Sequence, residues 1–250
     1  MRAKIFSILG LFLLISCQKE EISKESGDDK SLAQFNKMWL NFKLESSLAR
    51  LEGGSTCYMF PKEELISLQR NCHLRKIRFV PGLTNGKLDL KLQGVNSSGV
   101  GLGIINAGQV SEVKIDNQIV DLSNSNKLFG SNNELISNHL LNPKDAFNYI
   151  NRWNIRSSAN ENLDSIVSYG NERINYFSIQ KEIVSAITGL PNFENLGVFF
   201  GINPQGKMTT VLFGLDKKRN FIFYSMPNNG QNNVPPSIFD FTQPCPSTCN

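Results

Sequence analysis

The sequence predicts an α+β fold made of two tandem duplicated helix-helix-β-hairpin units that pack with approximate two-fold symmetry. Three observations predict it: an internal repeat with a spacing of about 120 residues, helical periodicity at the start of each half, and two predicted strands joined by turn residues later in each half. Helices followed by hairpins are typical of an α+β architecture.

The repeat is clearest between segments 86–96 and 206–216, which share both glycines, a lysine and one leucine. Four further pairs of segments match in the same order, with small changes of offset. They are 77–79 with 197–199, 62–66 with 180–184, 30–39 with 144–153, and 119–122 with 238–241. Because five segments match in one order, we expect a tandem duplication.

Each half begins with a predicted helix. In the second half Asn142 is the expected cap, Pro143 occupies the first turn, and apolar residues recur at helical spacing as far as Trp153. The corresponding helix in the first half carries Leu32, Phe35 and Trp39, and leucines at 40, 44, 48 and 51 predict that it continues to Gly53-Gly54.

A second helix is predicted in each half, and two strands follow it. The helix begins after Phe60-Pro61 in the first half, whereas in the second half it runs from a Ser178 cap to Gly189. The strands are 76–80 and 88–93, then 197–202 and 208–213, with turn residues between the members of each pair. Strand 208–213 is apolar or threonine on both faces, so we expect it to be covered on both sides.

The N-terminal residues are typical of an exported lipoprotein. Arg2 and Lys4 precede an apolar run that is too short to span a bilayer, and Leu14-Ile15-Ser16-Cys17 resembles a lipobox. We therefore expect lipid on Cys17, and a cleaved signal with an incidental cysteine is the alternative. The expected segments are a signal peptide (1–16), a disordered tether (17–29), a first repeat (30–125), a linker (126–141) and a second repeat (142–250).

The residues after Cys17 suggest the location of the protein. Gln18-Lys19-Glu20-Glu21 resembles the surface-export signal of Bacteroidota lipoproteins, although a solvated charged spacer has the same composition. We expect an outer-membrane lipoprotein exposed at the cell surface, with a periplasm-facing body as the alternative. Removing residues 1–16 lowers the formal net charge from +4 to +2, which gives no reason to expect nucleic acid as a partner.

The four cysteines beyond Cys17 predict disulfides, as is usual outside the reducing cytosol. Cys245 and Cys249 form the expected C-terminal ring, with metal or redox roles as alternatives. Cys57 and Cys72 flank the second helix of the first half, and they can pair only if residues 57–60 fold back along that helix.

No catalytic, cofactor-binding or metal-binding residue is predicted. His73 and His139 lack zinc-like or triad-like spacing, and we expect surface or capping roles for them. Segment 99–103 is rich in glycine but lacks the lysine of a phosphate loop, so a turn or strand edge is expected. Asp121 and Asp240 occupy matching positions in the repeat, and they become a candidate pair of catalytic carboxylates only if the fold brings them together.

Segments 195–201 and 209–214, together with the closing Pro244-Cys245-Pro246-Ser247-Thr248-Cys249, carry a likeness to known proteins. The second half resembles a family of uncharacterised lipoproteins of Bacteroidota, common in flavobacteria, that end in a Cys-Pro-x-x-Cys tail. The first half shares the likeness only through the internal repeat and lacks the tail. The resemblance implies origin and location, and it brings no activity.

Together these features favour a non-enzymatic lipoprotein that contacts the membrane through its N-terminal lipid. Its body is expected to bind a protein or glycan partner or to serve a structural role. Two alternatives remain open. One is an inhibitor or immunity-type lipoprotein against a toxin or host enzyme, and the other is an envelope hydrolase or isomerase with carboxylates such as Asp121 and Asp240 converging in a cleft.

Overall fold

The computed structural model describes residues 27–42, 55–125, 133–159, 162–222, 238–240 and 243–246. Within these residues the chain forms six helices and three antiparallel sheets, which confirms the predicted mixed α+β class. The helices are α1 (Gly27–Asn41), α2 (Lys62–Gln69), α3 (Val113–Ser123), α4 (Glu134–Ser137), α5 (Pro143–Ser158) and α6 (Lys181–Thr188). The strands are β1 (Cys57–Pro61), β2 (Lys76–Thr84), β3 (Lys87–Val95), β4 (Gly101–Asn106), β5 (Gly108–Val110), β6 (Ser168–Tyr169), β7 (Glu172–Arg173), β8 (Tyr176–Gln180), β9 (Asn195–Ile202), β10 (Met208–Leu215), β11 (Ile238–Phe239) and β12 (Gln243–Cys245).

The two large sheets contain five strands each. Sheet I has the order β11-β10-β9-β1-β5, and sheet II has the order β12-β8-β2-β3-β4. Strands β6 and β7 form a small separate hairpin.

Two segments of the chain have the same order of elements, namely β1-α2-β2-β3 and β8-α6-β9-β10. Strand β1 pairs with β9, with Tyr58 opposite Val198, and β8 pairs with β2, with Ile179 opposite Ile77. Each segment therefore gives its first strand to the sheet that holds the hairpin of the other segment.

The predicted helix-helix-β-hairpin unit omitted these first strands. In each half a strand, β1 or β8, lies between the two helices. Both strands are only five residues long. A short apolar run of this length does not distinguish a buried strand from a helical segment by its periodicity.

The inner faces of the two sheets share one hydrophobic core. Ile77 and Phe79 of β2 contribute to it from sheet II, and Val198 and Phe200 of β9 contribute from sheet I. Every residue of β10 is buried, which confirms the prediction that this strand is covered on both faces.

The outer faces of the sheets are covered by helices. Helix α1 packs on sheet II through Leu32 and Phe35, which contact Val80. Helices α3 and α5 pack together on sheet I, where Ile115 and Ile150 join the same cluster as Phe199. One outer face therefore carries two long helices and the other carries one.

The first hairpin is longer than predicted. Strand β2 continues through Pro81 to Thr84, and the turn consists of Asn85 and Gly86, which have φ values of 53° and 74°. Positive φ at both turn residues is the geometry that two-residue hairpins favour. Pro81 is tolerated because the pairing of β2 with β8 ends at Phe79, so no ladder bond to β8 is lost.

One predicted helix start is wrong. Ser178 is not a cap but a buried residue of β8, and α6 begins at Lys181 after Gln180. Helix α1 spans Gly27–Asn41, and the predicted continuation through leucines 44, 48 and 51 to Gly53-Gly54 lies outside the described residues. Helix α1 begins at Gly27, inside the segment predicted as a tether.

One matched pair of repeat segments adopts different structures. Residues 119–122 lie in α3, whereas residues 238–239 form β11. The predicted linker 126–141 contains the short helix α4, and Leu140 forms an isolated bridge with Phe239. The sequence match between these two segments therefore does not correspond to a structural equivalence.

Candidate functional site

A groove of about 450 Å³ lies beside α1 on the outer face of sheet II. We call it the α1 groove, and it is lined by α1 residues between Asp29 and Leu40, by Arg78, Val80 and Gln93, by residues 99–101, and by Asn175-Tyr176. Its volume falls in the range of about 300–1,000 Å³ that is usual for ligand-binding clefts.

Arg78 spans the floor of the groove. Because Ile77 and Phe79 point into the core, the alternation of β2 places Arg78 on the outer face. Its guanidinium carbon lies 4.2 Å from the centroid of the Tyr176 ring, and Nη1 donates to the Gly99 carbonyl oxygen at 3.3 Å. A guanidinium has five N–H donors, so this bond uses only one of them.

Polar contacts hold α1 in place as the wall of the groove. Asn36 is only 7% exposed, and its Nδ2 donates to the carbonyl oxygens of Pro81 at 3.0 Å and Asn175 at 2.9 Å. Gln93 Nε2 donates to Asp29 Oδ1 at 3.1 Å. These bonds connect the helix to β2, to β3 and to the residue before β8.

The groove combines apolar and charged surface. Leu32, Leu40 and Val80 supply apolar contacts, and Lys37 and Arg78 bring two positive charges against the single negative charge of Asp29. Because the positive charges outnumber the negative one, the lining suits an amphipathic ligand that carries an anionic group.

The corresponding surface of sheet I is covered by α3. Ile115 and Ile119 of that helix pack with Phe199 and Phe213 of the sheet. Gln118 binds the turn that follows β10, because its Oε1 accepts from the Phe221 N–H at 2.6 Å. The outer face of sheet I beside α5 is therefore filled by a helix of the same chain.

A second cavity, of about 210 Å³, lies at the end of α5 and the start of β1. Tyr58, Trp153 and Phe200 form its aromatic side, and their rings pack at centroid distances of 5.1 and 5.5 Å. Thr56 and Ser157 add hydroxyl groups to the lining. The cavity is below the usual size of a ligand site, so we assign no ligand to it.

Comparison with known protein families, curated proteins and solved structures finds no match for this chain. No helix in the described ranges has the length and apolar character needed to cross a membrane. Among the same residues, no group of three or more histidines, cysteines or acids is placed to hold a metal ion.

The cysteines only partly follow the predicted pattern. Cys57 is a free thiol, completely buried in β1, so the predicted pair with Cys72 is not formed. Its sulfur faces Gly197 of the neighbouring strand, and burial raises the pKa of the thiol above its ordinary value. Cys72 and Cys245 each belong to a disulfide. The predicted lipid on Cys17 and the predicted partner Cys249 lie outside the described residues.

The candidate carboxylates have different surroundings. Asp121 is exposed on α3, whereas Asp240 is 1% exposed and its Oδ1 accepts from Thr209 Oγ1 at 2.6 Å. His139 Nδ1 donates to the carbonyl oxygen of Asp240 at 3.0 Å, and His73 is exposed in the turn after α2. These positions give the two acids no common site, because the repeat match that aligned them pairs a helix with a strand.

The polar groove residues Asn36 and Arg78 were not singled out from the sequence. Asn36 could have been recognised from the sequence. It is a polar residue on the apolar face of a helix, next to Phe35 and Trp39, and such a position indicates a buried side chain with hydrogen-bond partners. No sequence pattern marked Arg78 as a site residue, because a charged residue between Ile77 and Phe79 is also normal in a strand with one solvated face. The predicted strand edge at 99–103 corresponds to the start of β4, the edge strand of sheet II.

Proposed function

We propose that this chain is an outer-membrane lipoprotein, anchored through lipid on Cys17 and exposed at the cell surface. The order of basic residues, apolar run and Leu14-Ile15-Ser16-Cys17 supports the anchor, and Lys19-Glu20-Glu21 supports the surface location. The resemblance to Bacteroidota lipoproteins supports the same origin.

We also propose that the body arose by tandem duplication and packs with approximate two-fold symmetry. Matching backbone hydrogen bonds support this arrangement. Lys62 N–H donates to the Glu194 carbonyl and Lys181 N–H donates to the Arg75 carbonyl, so each helix start is bound to the residue before the other segment's hairpin.

The turns after the two hairpins support the same arrangement. Asn96 Oδ1 accepts from the N–H groups two and four residues later, each at 2.9 Å, and Asp216 Oδ1 does the same, each at 2.8 Å. In both turns an Asn or Asp side chain binds the backbone of the residues that follow it. A duplication predicts the same turn at matching positions of the two halves.

The function that we propose for the body is non-enzymatic binding of a protein partner. The single observation that carries this proposal is the α1 groove, which joins apolar side chains to the charges of Arg78 and Lys37. Inhibition of a toxin or host enzyme is one form that such binding would take. A hydrolase built on Asp121 and Asp240 is disfavoured, because Asp240 is buried and hydrogen-bonded to Thr209.

Fractionation and proteinase shaving of intact cells test the anchor and the location. We expect the wild-type chain in the outer-membrane fraction and cleaved by external proteinase, and we expect the Cys17→Ala variant to lose membrane association. Ser16→Ala is the matched control, because it keeps a small residue before the cysteine. Unchanged membrane fractionation of Cys17→Ala would contradict the lipid anchor, and protection from proteinase would indicate a periplasm-facing body.

A further inference from the structure

We propose that the α1 groove receives an amphipathic helix of a partner protein, with an acidic side chain of that helix placed against Arg78. The inference rests on the proposed binding function and names the class of partner. Recognition of this type places the apolar stripe of a helix in a groove, and side chains at the rim select the partner.

The occupant is inferred from what covers the same surface on sheet I. Arg75 and Glu194 accept equivalent hydrogen bonds, so they occupy equivalent positions in the two halves. Val80 of sheet II and Phe199 of sheet I each lie five residues further on, and they are therefore equivalent as well. Counting from the turns at Asn96 and Asp216 places Gly101 where sheet I has Phe221. On sheet I, Phe199 and Phe221 lie in the cluster that α3 covers.

The lengths of the two surfaces agree. Helix α3 has 11 residues. The wall of the α1 groove extends along α1 from Asp29 to Leu40, which is roughly 16 Å at a rise of about 1.5 Å per residue. A helix of about three turns fits along this wall, as α3 does along α5.

The chemistry of the floor sets the charge of the occupant. On sheet I the floor is aromatic, because Phe213 stacks on Phe221 with ring centroids 4.3 Å apart. On sheet II the same positions are Gln93 and Gly101, and Arg78 lies beside them. A purely apolar helix would leave the guanidinium buried without a charged partner, which is costly, so an acidic side chain is required.

Peptide binding to the mature chain, residues 17–250, tests the inference. The probe is the labelled peptide of residues 111–125, which includes α3 and has a net charge of −2 from Glu112, Asp116, Asp121 and Lys114. A matched peptide carries lysine at the three acidic positions. By fluorescence anisotropy we expect the acidic peptide to bind at least about tenfold more tightly than the basic one, since charge-assisted contacts of this kind contribute that much.

Charge reversal in the groove locates the binding. Arg78→Glu should abolish or reverse the preference for the acidic peptide, whereas Arg152→Glu on the exposed surface of α5 should leave it unchanged. If Arg78→Glu fails to fold, as judged by circular dichroism, Lys37→Glu serves instead, because Lys37 is exposed on α1 and lines the same groove.

Three outcomes would overturn the inference: no binding of either peptide, equal affinity for both peptides, or a preference that survives both charge reversals. Binding of a soluble polysaccharide that depends on Arg78, without peptide binding, would overturn the helical partner and assign the groove to a glycan. Cleavage of the wild-type chain by external proteinase tests the surface location separately. Failure of the peptide experiment would therefore reject the helical partner without rejecting the proposed location.

Discussion

The pKa of Tyr149 is changed by the surroundings of its side chain. It lies on α5 against the outer face of sheet I, where the position of a Cβ added to Gly201 would be 2.9 Å from the Tyr149 Cβ. Burial, followed by the nearby carboxylates of Asp240 and Asp145, raises its pKa from 10.0 to about 12. All three effects disfavour the phenolate, so the folded state prefers the neutral phenol.

This shift predicts a pH dependence of the free energy of unfolding. Below pH 10 the phenol is neutral in both states, and its contribution to stability is fully present. Between about pH 10 and 12 the unfolded state loses the proton while the folded state keeps it, so stability falls as pH rises. In urea unfolding, we expect the wild-type chain to lose more stability than Tyr149→Phe between a pH below 10 and pH of about 11.

Tyr149→Phe is the non-titrating reference for the wild-type chain, because it keeps the ring and removes only the hydroxyl that titrates. The other raised tyrosines, Tyr58 and Tyr169, are present in both proteins, so their effects cancel in the comparison. An equal loss of stability in the two proteins would show that Tyr149 titrates normally.

At the scale of single residues the sequence predicted burial better than contacts. Trp39 and Trp153 belong to the apolar spacing that predicted the first helix of each half, and they are 0% and 5% exposed. The two hydrogen bonds of Asn36 were not predictable, because their acceptors lie 45 and 139 residues away along the chain. A side chain's partners depend on which elements the fold brings beside it, and the periodicity of one segment does not contain that information.

The packing of α1 on β2 depends on the absence of a side chain at Gly82. A Cβ added there would lie 2.2 Å from the nearest atom of the Phe35 ring, which is itself buried. The same relation holds between Gly201 of β9 and Tyr149 of α5. A glycine in the central region of each sheet therefore lets a helix approach the strand closely.

We expect Gly82→Ala to destabilise the fold by about 1–3 kcal/mol, the usual cost of overpacking a core. The effect should be smaller in a Phe35→Ala background, because the atoms that clash are those of the phenyl ring. Gly108→Ala is the control, since its added Cβ would have no neighbour closer than 3.9 Å. Urea unfolding of the four proteins of the double-mutant cycle measures the coupling, and additive effects would contradict the proposed contact.

At the scale of elements, long periodic segments were predictable and short ones were not. Helix α5 was expected from its cap region and apolar spacing, and it spans Pro143–Ser158. Strands β1 and β8 were missed, and part of β8 was assigned to the following helix. The α1 groove was beyond prediction for the same reason, since its floor exists only because β8 pairs with β2.

Because β1 and β8 are exchanged between the two sheets, we expect the molecule to unfold as a single cooperative unit. Sheet I needs β1 from the first half, and sheet II needs β8 from the second half. Neither half therefore contains a complete set of strands for either large sheet. The predicted boundaries divide the chain into two similar sequences, and residues of both halves contribute to the shared core.

We expect neither residues 27–125 nor residues 133–250 to fold alone as a monomer. Each fragment exposes strand edges that the other covers, and exposed edges promote association. Co-expression of the two fragments should give a one-to-one complex with a cooperative urea transition. Size-exclusion chromatography and circular dichroism measure both properties, with the intact chain as reference. A fragment that unfolds cooperatively as a monomer would contradict the shared core.

The pairing of β1 with β9 also governs when the protein can fold during synthesis. More than a hundred residues separate these two strands, and about ninety separate β2 from β8. At about 5–20 residues per second, a ribosome needs roughly 5 to 25 seconds to supply the missing partners. Throughout that interval neither large sheet has all of its strands. This delay suits the export that we propose, because a chain that has not yet folded can be threaded through a secretion channel.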